Sequence, residues 1–286
     1  MKDISSTASF VDFTLENFIY VDKTEYIPKL VKLKRVFISR PRRFGKSLTL
    51  DTIATLFETG VEPYFKGTWI YDKWTEPTYP VLRLNFLDLD KYSLEHFKQK
   101  LNAIISSFAR DINVKNYEEK VEPEDTIYFL LDELRKEKRQ IVILIDEYDC
   151  QMTANINNET LYKQFHEKIK SFYANIKNKW PIKFLGITGV TRLKDVEIFS
   201  IGSDINDITN CSPYSQMIGF TRDEIKKYYI DYLKLAASYE NNCTVDNVTE
   251  AQIESLLDRL AKNYDGYCFD EFYKKKVFST WSVNKF

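Results

Sequence analysis

The sequence predicts an α/β fold, a sheet joined by crossover helices, on three observations. Short apolar runs alternate with charged, helix-length stretches through the first two thirds of the 286 residues. One run stops a few residues before Gly45-Lys46-Ser47, and another ends in the paired carboxylates Asp146-Glu147. Strands linked by helices give such alternation, and the carboxyl ends of strands are where open α/β sheets bind ligands.

The elements follow in order. Arg35–Ser39, Pro80–Phe86, Gln140–Ile145 and Ile182–Thr188 are too short for helices, and three of the four are rich in β-branched residues, so each is predicted as a buried strand. Gly45–Glu58, Leu94–Asn113, Asp125–Glu137 and Thr160–Ile176 carry apolar residues at three- and four-residue spacings and are predicted as helices. In the last of them Thr160, Leu161, Phe165, Ile169, Phe172 and Ile176 form the stripe expected to pack on the sheet. After Thr191 the character changes. Asp204–Ser215 is polar and turn-prone, and a second, mainly helical unit is expected from Gly219, which divides the chain into 1–218 and 219–286. Thr221 with Glu224 three residues on makes a capping box, Val248–Tyr264 makes a further helix, and the aromatic segment after Asp265-Gly266 is expected to pair as a small hairpin.

Composition excludes several classes. With 44% hydrophobic residues the chain can bury a sizeable core, and a net charge of -1 gives no whole-chain attraction to nucleic acid or acidic membrane. Cys150, Cys211, Cys243 and Cys268 lack metal-ligand spacing and read as buried thiols of a reducing compartment. No apolar run approaches the ~20 residues of a membrane helix and no leader opens the chain, so a cytoplasmic location is expected. His96 and His166 belong to no pattern for metal or nucleophilic chemistry.

The chemistry sits at two strand ends. A phosphate loop needs a strand that ends, a tight turn whose amides converge on an anion, a Lys, and a hydroxyl in the first helical turn. Arg40, Pro41, Arg42, Arg43, Phe44, Gly45, Lys46, Ser47 and Leu48 supply that sequence, with Arg40 where the general GxxxxGK[ST] pattern has its first Gly. Lys46 can reach β- and γ-phosphates, and Ser47 can ligate Mg²⁺. Asp146 can hold the same ion, and Glu147 can orient and polarise water. Taken singly, the GKS is an exposed turn or a cradle, and Asp146, Glu147 and Asp149 are a solvated loop or a metal site; together they favour the second reading of each. Gly186–Leu193 is a strand ending in small and polar residues, from which Thr188, Thr191 and Arg192 can project toward the γ-phosphate. Arg192 either senses that phosphate or is an ordinary surface arginine. Arg40, Arg42 and Arg43 face phosphate, a subunit boundary or nucleic acid. Lys163–Lys179 and Lys274–Lys276 read as solvated faces.

SRPRRFGKSL, IDEYD, GITGVTRL and YDGYCF, with YVDKTEYIPKL upstream, closely resemble the bacterial AAA-ATPase-like family, over almost the whole chain. That family carries RPRRFGKS in place of a full Walker A motif, so Arg40 departs from the general pattern and not from the family's. The resemblance implies a P-loop NTPase core of the additional-strand type, in which the strand before Asp146 lies away from the strand before the loop and the Gly186 strand lies between them. It implies ATP and Mg²⁺ as ligands, and a smaller helical C-terminal lid unit in which Tyr264-Asp265-Gly266-Tyr267 either covers the nucleotide or packs the lid's own core. Many members continue into a nuclease-like domain after a segment like WSVNKF; no such motif follows here, so no nuclease activity is expected of these residues. Two readings stay open: a Mg²⁺-dependent ATPase whose cycle drives a conformational change, with Lys46, Glu147 and Arg192 as catalytic residues, and a nucleotide-gated regulatory module that hydrolyses little, controlling a partner nuclease. A nucleic-acid-binding protein with a decayed loop is a third, weaker reading. Homo-oligomers are compatible with both leading readings.

Overall fold

The computed structural model describes residues 1–177, 179–192, 204–264 and 266–285. Five strands form one parallel sheet: β1 (Arg35–Ser39), β2 (Val81–Asn85), β3 (Ile141–Asp146), β4 (Ile182–Gly189) and β5 (Asn206–Asp207), in the order β2-β3-β4-β1-β5. The sheet order is that of an additional-strand P-loop NTPase core. β4 lies between β1 and β3, so the carboxyl ends of those three strands open side by side.

Both faces are covered, which is why β3 is apolar without alternation. Ile141, Ile143 and Ile145 point into a core with α4 (Leu94–Asp111), α5 (Pro123–Lys136) and α7 (Glu159–Ile176), reached after the short α6 (Cys150–Ala154). Val142 and Leu144 point the other way, into a core with α1 (Phe10–Leu15), α2 (Ile27–Leu33) and α3 (Lys46–Thr59). Along α7 the expected stripe holds from Phe165 to Ile176, but Thr160 is exposed at the first turn, where a polar side chain is satisfied by water. The cysteines differ from expectation as well. They are free thiols, but only Cys150 is buried, the other three standing half-buried near the surface.

The polar segment after Asp204 contains β5, which carries no apolar signal. It is held by backbone pairing of Val36 with Asn206 and Phe37 with Asp207, while the Asn206 amide donates to the carbonyls of Leu33 and Arg35. Residues 219–286 contain α8 (Arg222–Tyr228), α9 (Ile230–Glu240), α10 (Glu250–Tyr264), the strands β6 (Tyr267–Cys268) and β7 (Lys276–Val277), and α11 (Thr280–Lys285). Both bonds of the Thr221–Glu224 capping box are formed. The hairpin pairs Tyr267 with Val277 and Cys268 with Lys276; in the turn signal before it, Asp265 lies outside the described residues. These helices share their core with Ile19 and Val21 of the N-terminal segment, and the Lys23 ammonium meets the Glu224 carboxylate at 2.6 Å. The C-terminal segment is thus built onto the residues that precede the loop. Among the described residues no helix is long and apolar enough to cross a membrane.

Candidate functional site

β1 stops at Ser39 and α3 starts at Lys46, so six residues make the turn between them. Gly45 has φ 98, a left-handed conformation that a Cβ would strain. Arg43 is also left-handed, at φ 70. Its conformation is held from the C-terminal end of the chain: the Arg43 carbonyl accepts from Thr280 Oγ1 (2.9 Å), Ser279 Oγ (3.2 Å) and Trp281 N (3.3 Å), and its guanidinium lies 4.2 Å from the centre of the Trp281 ring. The helix α11 therefore clamps the loop from outside the sheet.

The predicted residues Lys46, Ser47, Asp146 and Glu147 converge. Ser47 Oγ donates to Asp146 Oδ2 at 2.5 Å, although 99 positions separate them. Asp146 Oδ1 accepts from Thr188 Oγ1 and from the Glu147 amide (2.9 Å), so the carboxylate takes donors from α3, β4 and its own turn. Lys46 is almost wholly buried; its ammonium donates to the carbonyls of Arg40 (3.2 Å) and Pro41 (3.3 Å) and pairs with Glu147 Oε1 at 3.2 Å. Glu147 sits at φ 51, an unusual conformation for a non-glycine residue. The oxygens of Ser47 and Asp146 are the hard donors that Mg²⁺ takes, and their hydrogen bond marks the place between them, so the donor set fits that ion.

Two residues of IDEYD that carried no assigned role turn out to position this end of the sheet. Tyr148, wholly buried, donates to the Thr191 carbonyl (3.0 Å), and the buried Asp149 carboxylate accepts from the amides of Thr191 (2.6 Å) and Val190 (3.2 Å). Gly189 makes room for them, since a Cβ there would lie 2.3 Å from the Tyr148 ring. Arg192 follows this clamp; its guanidinium donates to Asn210 Oδ1 at 3.2 Å, beside Arg40, and Leu193 lies outside the described residues.

The loop's other side chains divide. Arg42 is exposed and Leu48 half-buried. Arg40 points inward, 1% exposed, rather than toward the loop's mouth. Its guanidinium donates to the carbonyls of Thr209 (2.7 Å) and Ser39 (2.8 Å) and lies 4.0 Å from the Phe269 ring centre. Burial pushes it down to about 9, against the neighbouring Asp207, with Arg192 lowering it further. Phe44 is buried too, its ring edge-on to Tyr267 (4.7 Å) and Phe269 (5.6 Å). The hairpin therefore packs on the loop itself, not on the core of the C-terminal helices.

Beside the loop lies a cavity of about 260 Å³. Lys46, Ser47 and Glu147 line it together with Tyr20, Phe220 and Trp281. Tyr229 Oη donates to Asn284 Oδ1 (2.6 Å), and Asn284 Nδ2 to the Ser5 carbonyl (2.9 Å), so the walls from the N-terminal segment, the junction of α8 and α9, and α11 are tied together.

Residues 5–199 match a protein family described as "Predicted AAA-ATPase". Over 241 residues the chain is 30% identical to an "Uncharacterized protein in vnfD 5'region" of Azotobacter chroococcum mcd 1, an alignment that covers 76% of this chain and 45% of that one. The chain thus spans less than half the length of this relative. Cdc6p from Pyrobaculum aerophilum aligns to it with a TM-score of 0.35 and 17% identity, over 73% of this chain and 47% of that crystal structure's chain.

Proposed function

The chain belongs to the predicted AAA-ATPase family, and from that premise we propose that it is a Mg²⁺-dependent ATPase whose cycle moves residues 219–286 against the sheet. ATP lies with its phosphates along residues 40–48 and its base among Tyr20, Phe220 and Trp281. Lys46 leaves the Arg40 and Pro41 carbonyls for the β- and γ-phosphates. Ser47 and Asp146 hold the metal, which when bound neutralises charge on the phosphate oxygens. Glu147, released by Lys46, accepts a proton from the water that attacks the γ-phosphorus as the bond to the bridging oxygen breaks. Thr188 and the Tyr148–Asp149 clamp fix the carboxylate and the strand end beside it, and Arg192, bonded to Asn210 in this structure, assists only after leaving that partner. The observation that carries this reading is the meeting of Ser47 with Asp146 and of Lys46 with Glu147 at the carboxyl end of the sheet.

Single-turnover hydrolysis by wild type and Glu147→Gln tests it, with ATP binding measured in parallel. Mg²⁺-dependent phosphate release is expected from wild type alone, with ATP bound by both. Binding without release in either protein would leave a nucleotide-gated module in place of an enzyme, and no binding at all would refute both readings.

A further inference from the structure

The amino ends of β1, β3 and β4, the ends remote from the phosphate loop, border a cavity of about 480 Å³. Arg35 opens β1 and Ser39 closes it, so this cavity and the loop lie roughly 13 Å apart along one strand. Six cationic side chains line it: Lys32 and Lys34 from the end of α2, Arg35, Lys73, Lys179 and Lys183. Among the described residues Glu76 supplies the one carboxylate of the lining and pairs with Lys183 at 2.7 Å, while Asp204 meets Arg35 at 2.9 Å. Among the described residues Lys32 and Lys34 have no carboxylate partner, and Lys179 stands over the Tyr128 ring at 4.5 Å. With a net charge of only -1 on the whole chain, this is a local surplus and not a general basicity.

Two tryptophans share the cavity. Trp180 is 55% exposed, and its position is fixed: its carbonyl accepts from the Gln140 amide (3.1 Å) and the carbonyl of Lys179 from Arg35 (3.0 Å). Trp74 packs edge-on against Phe57 at 5.2 Å, and its buried indole N–H has no acceptor among the described residues. Cations from three separate stretches of the chain exceed what one phosphate neutralises, and an exposed indole on a held backbone is a platform for an unpaired base. We infer that this cavity binds a single-stranded nucleic-acid segment, phosphates on the lysines and one base on Trp180. Because β1, β3 and β4 run from here to the loop, Asp146 and Thr188, the two sites share their strands without sharing a residue.

The test is fluorescence anisotropy with a dye-labelled oligo(dT) of about ten nucleotides, titrated with the whole chain without ATP between about 50 and 200 mM salt. Wild type binds, more weakly as salt rises. Lys32→Glu/Lys34→Glu loses about tenfold or more in affinity and Trp180→Ala about fivefold or more, whereas Lys163→Glu/Lys274→Glu, the same charge change elsewhere, loses less than about twofold. Should the double glutamate variant melt early, Lys32→Gln/Lys34→Gln replaces it. Absence of salt-dependent binding by wild type, equal losses in pocket and control pairs, duplex bound as tightly as the single strand, or displacement as efficient by polyglutamate or a mononucleotide would each overturn the inference. ATP affinity stays at the wild-type level in the lysine variants, which separates failure of this site from failure of the ATPase reading.

Discussion

The Lys46 ammonium and a Glu147 carboxylate oxygen hold each other at 3.2 Å, with the lysine side chain 3% exposed. A residue expected to meet phosphate is thus paired with one expected to meet water, so under the proposed function ATP takes the first before the second is free. Glu147→Gln removes the charge that holds Lys46 and also the base. It is expected to bind ATP at least as tightly as wild type while phosphate release falls about 100-fold or more, read by filter binding and single-turnover assay. Unchanged release would sink the role given to Glu147.

Asp146 accepts hydroxyls from Ser47 and Thr188. In Asp146→Asn these lose a charged acceptor, and a stability cost of about 1–3 kcal/mol follows. The gain in ATP affinity on adding Mg²⁺ is expected to disappear. Calorimetric titrations with Mg²⁺ and with a chelator measure this; an undiminished metal effect would place the ion elsewhere.

Gly189→Ala drives a methyl group into the Tyr148 ring, whose hydroxyl ties down Thr191. Tyr148 cannot move without breaking that bond. Destabilisation of about 1–3 kcal/mol is expected from a urea midpoint at unchanged slope. A midpoint equal to wild type would show that the clamp yields freely.

Arg40→Gly restores the first glycine of the general phosphate-loop pattern, yet it is expected to harm the protein. It strips donors from the buried carbonyls of Ser39 and Thr209 and removes the cation from the Phe269 ring. A loss of about 3 kcal/mol or more follows, with hydrogen exchange rising first at 206–214 and in the hairpin. Equal or greater stability would mean that Arg40 serves the ligand and not the fold.

Glu122 accepts from Lys168 Nζ of α7 (2.5 Å) and pairs with Lys98 of α4 (2.6 Å), bonds that hold its carboxyl below the ordinary 4.5. Its folded value is lower than its unfolded one, so its stabilising contribution is complete above 4.5 and is lost as pH falls through the folded value. Glu122→Gln is expected to flatten the fall of urea midpoints as pH drops below 4.5. Parallel curves for the two proteins would rule this contribution out.

By itself the sequence determined the four main strands, the helices between them and the residues at two strand ends, because periodicity and the chemistry of a strand-turn-helix are local properties of the chain. Lys46, Ser47, Asp146 and Glu147 could be named without knowing how they meet. The tertiary structure alone decided the rest. β5 is two polar residues made a strand by the free edge of β1. Arg40 looks like part of a phosphate cradle until Thr209 and Phe269, 169 and 229 positions away, are brought beside it and turn it inward. Tyr148 and Asp149 become a clamp only because β4 lies next to β3, and α11 grips Arg43 only because the chain's last residues return to its first. Contacts of this kind have no period and no motif. Their partners are far apart in sequence, and their energy comes from desolvated polar groups that find one another only after the sheet has formed.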